Sequence, residues 1–138
     1  MKLPWEDGYD AIDLTGAVEV PMNHEHGKLG FGQDVPGKFR RELVEMGITD
    51  TFEAIKRGVR IATTRVEKYK RGQIFIFYKR GVEERLVCQA ICDSYPVADV
   101  TAEEWGLLEG WESNYFTLNP LAKGKFQVKF RYIKSIWQ

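Results

Sequence analysis

The eight-residue stretch that decides the fold is Gly58-Val59-Arg60-Ile61-Ala62-Thr63-Thr64-Arg65. A short predicted helix precedes it, and a run of aromatic and β-branched residues follows it. The stretch contains two guanidiniums and two hydroxyls, which are groups that bind phosphates and the edges of bases. With a neighbouring general base, a threonine hydroxyl can also act as a nucleophile. The stretch therefore predicts a polar site where a helix passes into a strand.

Two short helices are predicted ahead of this stretch. In the second helix, Asp50 is placed at the N-cap and Glu53 lies three residues later, which is the capping-box arrangement. Gly58 suits the position after its last turn. The first helix is predicted at residues 39–46, because Gly47 then provides its C-terminal stop.

Strands dominate the rest of the predicted structure. Besides a short strand within residues 10–20, the patterns predict strands at residues 59–65, 73–78, 85–94 and 125–132. The strand at 73–78 is apolar on both faces and is expected to be buried on both. In the last strand, Gln127 alternates with the apolar residues and is expected on a solvated face with the basic residues. A second capping box begins a helix after Thr101 that ends at Glu109. This order predicts an α+β fold, in which a mostly antiparallel sheet is small enough to form a β-barrel with flanking short helices.

The composition is that of a single globular domain. The chain has 138 residues, of which 43% are hydrophobic and 29% are charged. No apolar run approaches the roughly 18–20 residues of a membrane span, and the first residues do not form a signal peptide, so a cytoplasmic location without membrane association is expected. Cys88 and Cys92 are predicted in one strand about 13 Å apart, which is too far for a disulfide between them.

The charge is uneven along a chain whose net charge is zero. Between Lys56 and Arg85 there are ten basic residues and three acidic ones. Such a basic sector fits an anionic partner, although a solvated lysine-rich surface would have the same composition. No cofactor is predicted. No metal site is predicted either, since His24 and His26 lie in a polar loop away from the cysteines.

The residues around the central stretch resemble those of the ASCH domain family, which belongs to the PUA-like superfamily. The matching pattern is Phe52-x-x-Ile55-x-x-Gly58-x-Arg60-x-x-Thr63-x-Arg65, then Lys70-x-Gly72, and then a helix at residues 102–110 that ends with Glu-Gly. The resemblance covers roughly residues 50–133. It implies an ASCH/PUA-like domain at residues 50–138, which is a small β-barrel with a cleft between barrel and helices. Residues 1–49 are expected to form an N-terminal extension packed on it.

The family includes RNA-binding modules, ribonuclease-like proteins and small amidohydrolases that cleave acyl groups from N4-acylcytidine. The resemblance therefore implies that a basic cleft binds single-stranded RNA or a modified nucleoside or nucleotide, and a monomer is expected. Nucleic-acid contacts are predicted at Arg60, Thr63, Thr64, Arg65, Lys68, Lys70, Trp111 and Tyr115. The aromatic members of this set would stack on a base, although large aromatic side chains more often belong to a core.

A hydrolase is the alternative that the resemblance leaves open. In the amidohydrolases a Lys follows the glycine by two residues, a Thr nucleophile lies three further on, and a Glu follows the late helix. Arg60, Thr63 and Glu109 stand at these positions. Arginine stays protonated at working pH and cannot accept the hydroxyl proton, so Glu109 would have to be the base. On a regular strand residues 60 and 63 point to opposite faces, and they converge only across a turn or bulge. Ribonuclease-like cleavage by the same groups is a third possibility.

Overall fold

The computed structural model describes residues 14–22, 40–48, 50–109 and 124–137. Within these ranges its elements are β1 (Val18–Pro21), α1 (Arg40–Glu45), α2 (Thr51–Lys56), β2 (Ala62–Arg65), β3 (Ile74–Tyr78), β4 (Glu84–Ala90), β5 (Tyr95–Pro96), α3 (Ala102–Glu109) and β6 (Phe126–Trp137). A 3-10 turn, Val97–Asp99, separates β5 from α3. The predicted α+β class is confirmed. No helix in the described ranges is long and apolar enough to cross a membrane.

The strands form one strongly curled sheet that has the shape of a half-barrel. Its order is β1-β3-β4-β6-β2, and β5 also pairs with β6. Only β1 and β3 run parallel, and the other described pairs are antiparallel. The long strand β6 pairs with β2 and β5 through its first half and with β4 through its second half. In the chain, α3 lies between β5 and β6, and in the fold it contacts β2.

Two apolar clusters support the sheet. The larger cluster joins β1, α2, β3, β4 and β6, and it includes Phe52, Phe75, Phe77 and Phe130. The rings of Phe77 and Phe130 lie 5.0 Å apart. The smaller cluster holds α1 against α2 and consists of Leu43, Ile48, Ala54 and Val59. Four of the five residues of β3 are buried, which confirms that this strand is covered on both faces.

The helix ends agree with the sequence, but one cap does not. Gly47 and Gly58 follow α1 and α2 with φ values of +84° and +74°, a conformation that glycine adopts without strain. The Thr101 cap of the second helix is confirmed, since the Glu104 N–H donates to Thr101 Oγ1 at 3.0 Å. The first capping box is wrong. Asp50 makes no cap hydrogen bond with its side chain, because its carboxylate pairs with Lys79 from the β3–β4 turn.

Two predicted strands are shorter in the structure. The first begins at Ala62, because the N–H groups of Val59 and Arg60 both donate to the Ala54 carbonyl and extend the end of α2. The other ends at Ala90, where the Ala90 N–H donates to Gln73, so Cys92 lies outside the strand. The division of the chain at residues 49 and 50 stays a prediction.

Candidate functional site

Arg60 enters the interior from the turn between α2 and β2. Gly58 lets the chain reverse after α2, and the N–H groups of Val59 and Arg60 then bond to the Ala54 carbonyl at 3.0 and 3.2 Å. Arg60 is only 5% exposed, and its Nε donates to the Ala62 carbonyl at 3.4 Å. Because Arg60 precedes the strand, the alternation rule for residues 60 and 63 does not apply to it.

The pairing of β2 with β6 places the two neighbouring threonines on different faces. Thr64 lies opposite Gln127, and Thr63 lies opposite Val128. Directly opposed residues share a face, while successive residues of a strand alternate. Thr63 therefore lies on the same face as Val128, which belongs to the main apolar cluster. Thr64 and Gln127 lie on the other face, which α3 covers.

Glu109, the last residue of α3, is the centre of a buried polar group on that face. Its Oε2 accepts hydrogen bonds from the hydroxyl of Thr64 and, at 2.8 Å, from Nε2 of Gln127. Its Oε1 lies 3.9 Å from a terminal nitrogen of Arg60. Glu109 is 2% exposed. A carboxylate so deeply buried needs such partners, since an isolated buried charge is very costly.

Trp105 and Tyr95 extend the network around this carboxylate. Nε1 of Trp105 donates to Thr64 Oγ1 at 2.8 Å, so this hydroxyl accepts from the indole while it donates to Glu109. The Tyr95 hydroxyl donates to Oε1 of Gln127 at 2.5 Å. We call Arg60, Thr64, Trp105, Glu109 and Gln127 the Glu109 cluster. It ties α3 to both β2 and β6.

Arg65 lies at the end of β2, near the Glu109 cluster. Burial lowers the pKa of its guanidinium, and the charge of Glu109 is the largest of the interactions that oppose this shift. Its Nε is buried and has no hydrogen-bond partner in the described part of the chain. Arg65 therefore combines a charge with an unused buried donor.

A cavity of about 520 Å³ adjoins the cluster on the side of β5. Tyr95 forms part of its wall and also belongs to the hydrogen-bond chain that leads through Gln127 to Glu109. The other described residues that line it are Asp99, Val100, Glu104, Leu107, Leu108 and Lys129. The cavity thus has an apolar wall with charged groups around it.

The predicted site residues fall into three groups. The structure brings Arg60, Thr64 and Glu109 together. Thr63 and Arg65 lie on the opposite face of β2 from Thr64, although the charge of Arg65 interacts with that of Glu109. Lys68 and Lys70 are exposed in the segment after β2, and the Lys68 ammonium lies 4.9 Å from the centre of the Phe126 ring. The remaining predicted contacts, Trp111 and Tyr115, are outside the described residues.

Three members of the network were not predicted from the sequence: Tyr95, Trp105 and Gln127. Gln127 was assigned to a solvated face of the last strand, but it is fully buried. The alternation of residues 125–132 placed it correctly opposite the apolar side. The strong capping box of α3 was the one available sign that a helix could cover that face.

The arrangement can bind hydrogen-bonding ligands and can deprotonate a hydroxyl. The Thr64 hydroxyl donates to the Glu109 carboxylate, and a hydroxyl hydrogen-bonded to a base is the pair that nucleophilic catalysis requires. In the described ranges, no group of three His, Cys, Asp or Glu side chains is arranged to hold a metal ion. The chain matches no protein-family model, no curated protein and no solved structure.

Proposed function

We propose that this chain recognises an unpaired nucleotide, as part of single-stranded RNA or as a free modified nucleotide, beside the Glu109 cluster. The mostly antiparallel curled sheet supports a PUA-like architecture of the ASCH type. The same assignment is supported by the position of α3, which ends with Glu109 against β2 and β6. The ligand would lie between the sheet and this helix.

The observation that carries the proposal is the unused donor of Arg65. Its Nε is buried without a hydrogen-bond partner among the described residues. A buried donor without an acceptor costs about 1–3 kcal/mol, so such groups call for a specific explanation. The planar guanidinium matches the two acceptors of a phosphate or of a base edge. A bound nucleotide would supply the acceptor.

Burial divides the predicted contacts into two roles. Arg60 and Thr63 are 5% and 1% exposed, so they position their neighbours instead of contacting a ligand. Thr64 and Arg65 are only partly buried. Arg65 ends β2 opposite Phe126, on the face of Thr63, but its guanidinium interacts with the charge of Glu109. In the proposed complex, Arg65 contacts the nucleotide at this end of β2.

The surroundings supply further contacts. The exposed ammonium groups of Lys68 and Lys70 would pair with phosphates of a longer strand. Trp111 and Tyr115 remain the predicted stacking side chains. The adjacent cavity of about 520 Å³ falls within the roughly 300–1,000 Å³ of small-molecule sites, and its apolar wall suits the face of one base.

A binding experiment with a matched pair of arginine variants tests the proposal. The probes are a labelled single-stranded RNA of about ten nucleotides and a panel of modified nucleotides, measured at about 50 and 200 mM salt. Arg65→Gln is expected to weaken binding by about tenfold or more, because a bidentate contact contributes about 1–3 kcal/mol. Arg80→Gln removes the same charge from an exposed position in the β3–β4 turn, and its effect should be small. Equal affinities for the two variants would contradict the proposed site, and no binding of any probe would contradict the proposed function.

The contact between Thr64 and Glu109 favours a second candidate, which is hydrolysis of an N4-acylated cytidine. In this reaction the Thr64 oxygen would attack the acyl carbonyl while Glu109 takes the hydroxyl proton. The C–N bond would then break, with the proton passing to the cytidine amine, and water would hydrolyse the acyl ester on Thr64. Arg60 would remain a charged neighbour of Glu109 and would not act as the base.

Two valine variants separate this candidate from binding alone. Thr64→Val removes the proposed nucleophile, so it should abolish release of cytidine, whereas Thr63→Val should leave turnover largely intact. Turnover that survives in folded Thr64→Val protein would exclude Thr64 as the nucleophile. The complete absence of hydrolysis in the unmodified chain would leave nucleotide recognition as the function.

A further inference from the structure

A second cavity, of about 380 Å³, lies between the turn before β3, the end of β4 and the middle of β6. Arginines contribute to it from two separate parts of the chain. Arg71 belongs to the turn, and Arg131 belongs to β6. The other lining residues, Gly72, Gln89, Ala90 and Ile91, carry no charge. Among the described lining residues, the charged groups are therefore all cationic.

Arg131 is held in place by an uncharged partner. One of its terminal nitrogens donates to Oε1 of Gln89 at 2.8 Å, and Nε2 of Gln89 in turn faces the Gly72 carbonyl at 3.4 Å. These contacts connect β6, β4 and the turn. They orient the guanidinium without neutralising it.

Neither arginine forms an ion pair within the part of the chain that the structure describes. The nearby carboxylate of Asp93 accepts a hydrogen bond from the backbone N–H of Arg71 at 2.8 Å, and it does not line the cavity. Several other cations have acidic partners, for example Lys56 with Glu84. Two guanidiniums beside one cavity repel each other, and an anion between them would remove this repulsion.

Phosphate is the anion that this geometry fits best. A guanidinium presents its N–H groups as a planar fork, which can bind two phosphate oxygens at once. Two such forks on one cavity can contact different oxygens of the same group. The Gln89 amide completes the polar lining.

The cavity also has a defined position relative to the Glu109 cluster. Arg131 lies four residues after Gln127 on β6, so the two side chains share a face and are separated by roughly 13 Å along the strand. The bulge in the pairing of β4 with β6 lies beyond Arg131 and does not interrupt this alternation. Lys129 lies between them on the same face. A cationic row thus leads away from the cluster.

We propose that the Arg71–Arg131 cavity binds a backbone phosphate of single-stranded RNA, next to the nucleotide held beside the Glu109 cluster. This inference rests on the proposed function and extends it, because it makes an RNA strand the ligand in preference to a free nucleotide. In this proposal, the RNA strand follows the face of β6 that carries Lys129 and Arg131. Arg65 reads one nucleotide, and the two arginines of the cavity fix the path of the chain without reading its sequence.

The experiment compares Arg71→Gln and Arg131→Gln with Arg80→Gln as the charge-matched control. A labelled single-stranded RNA of about ten nucleotides is titrated over about 50 to 200 mM salt. Each cavity variant should weaken binding by about threefold to tenfold and lower the slope of log affinity against log salt by about 0.7. Arg80→Gln should retain both the affinity and the slope of the unmodified chain. Binding of a modified nucleotide should not change in either cavity variant.

The outcomes separate failure of this inference from failure of the proposed function. RNA binding that the cavity variants leave unchanged would overturn the inference alone. So would binding of modified nucleotides without binding of RNA. Inorganic phosphate that binds at the cavity while RNA does not would assign it to free phosphate and would also overturn the inference. If neither RNA nor any modified nucleotide binds, both the proposed function and the inference fail.

Discussion

The two faces of the β2–β6 pair differ sharply, although their residues alternate along the same two strands. One face carries Thr63, Val128 and Phe130 and belongs to the main apolar cluster. The other carries Thr64 and Gln127, whose polar groups bond to Glu109 and to residues of α3. The first face stabilises the sheet through burial of apolar surface. The second combines hydrogen bonds and buried charge.

This difference shows how strongly the site depends on register. A shift of one residue between β2 and β6 would exchange the two faces and would bring Thr63 beneath α3 in place of Thr64. Val128 and Phe130 belong to β6 and stay in the apolar cluster, so the shift is opposed on the polar face, where the Thr64 hydroxyl would lose Trp105 and Glu109. The register of β2 therefore selects the threonine that meets Glu109.

The largest expected effect comes from the apolar face. Phe130→Ala should lower the free energy of unfolding by about 3–5 kcal/mol, because it leaves a cavity beside the ring of Phe77. Arg131→Gln alters the next residue, which is exposed and points away from the apolar cluster. This variant should change stability by only about 0.5 kcal/mol. Denaturant unfolding of the two variants measures the contrast. Similar losses in both would contradict the assignment of faces.

The paired threonine variants should show a smaller effect that tests the polar face directly. Thr64→Val removes the hydroxyl that joins Trp105 to Glu109, so it should cost about 1–3 kcal/mol. Thr63 has no side-chain hydrogen bond to any described residue, and Thr63→Val should therefore change stability by about 0.5 kcal/mol or less. Both are measured by urea unfolding at neutral pH. The reverse order of the two losses would place Thr63 beneath α3.

The sequence was sufficient for features that depend on neighbouring residues. Gly58 ends α2, and Thr101 caps α3, because both signals act within one helical turn. The apolar run of β3 likewise indicates a strand buried on both faces. At Asp50 the same local reasoning failed, since Lys79 lies 29 residues further along the chain and attracts its carboxylate. No pattern around Asp50 contains that information.

The composition of the candidate site depended on contacts that are distant in sequence. Glu109 was predicted as a site residue. The threonine that contacts it depends on the start of β2 at Ala62 and on the pairing of Thr64 with Gln127. Alternation could place Gln127 on a face, but it could not show that α3 covers that face. This is why Gln127 was expected in solvent and is instead fully buried. A helix that packs over a strand can bury a polar residue, and the alternation pattern of the strand does not reveal this.

The smallest expected effect concerns Tyr95, which connects the polar face to the adjacent cavity. Burial raises the pKa of its phenol well above the ordinary value, and negative charge at Cys92, Glu109 and Glu104 adds to this shift. An unfolded tyrosine ionises near pH 10, while the folded phenol keeps its proton to higher pH. Above about pH 10 the unfolded state therefore binds fewer protons, and stability falls as the pH rises. Below that pH the contribution is complete.

Tyr95→Phe should remove this alkaline sensitivity. At neutral pH the variant loses the hydrogen bond to Gln127, which should cost about 1 kcal/mol. Above about pH 10 its free energy of unfolding should fall less steeply than that of the unmodified chain, because phenylalanine has no proton to release. Urea unfolding at several pH values measures both slopes. Parallel slopes would mean that the Tyr95 hydroxyl is not held in the polar network. The hydrogen-bonded connection between the cavity and the Glu109 cluster would then be wrong.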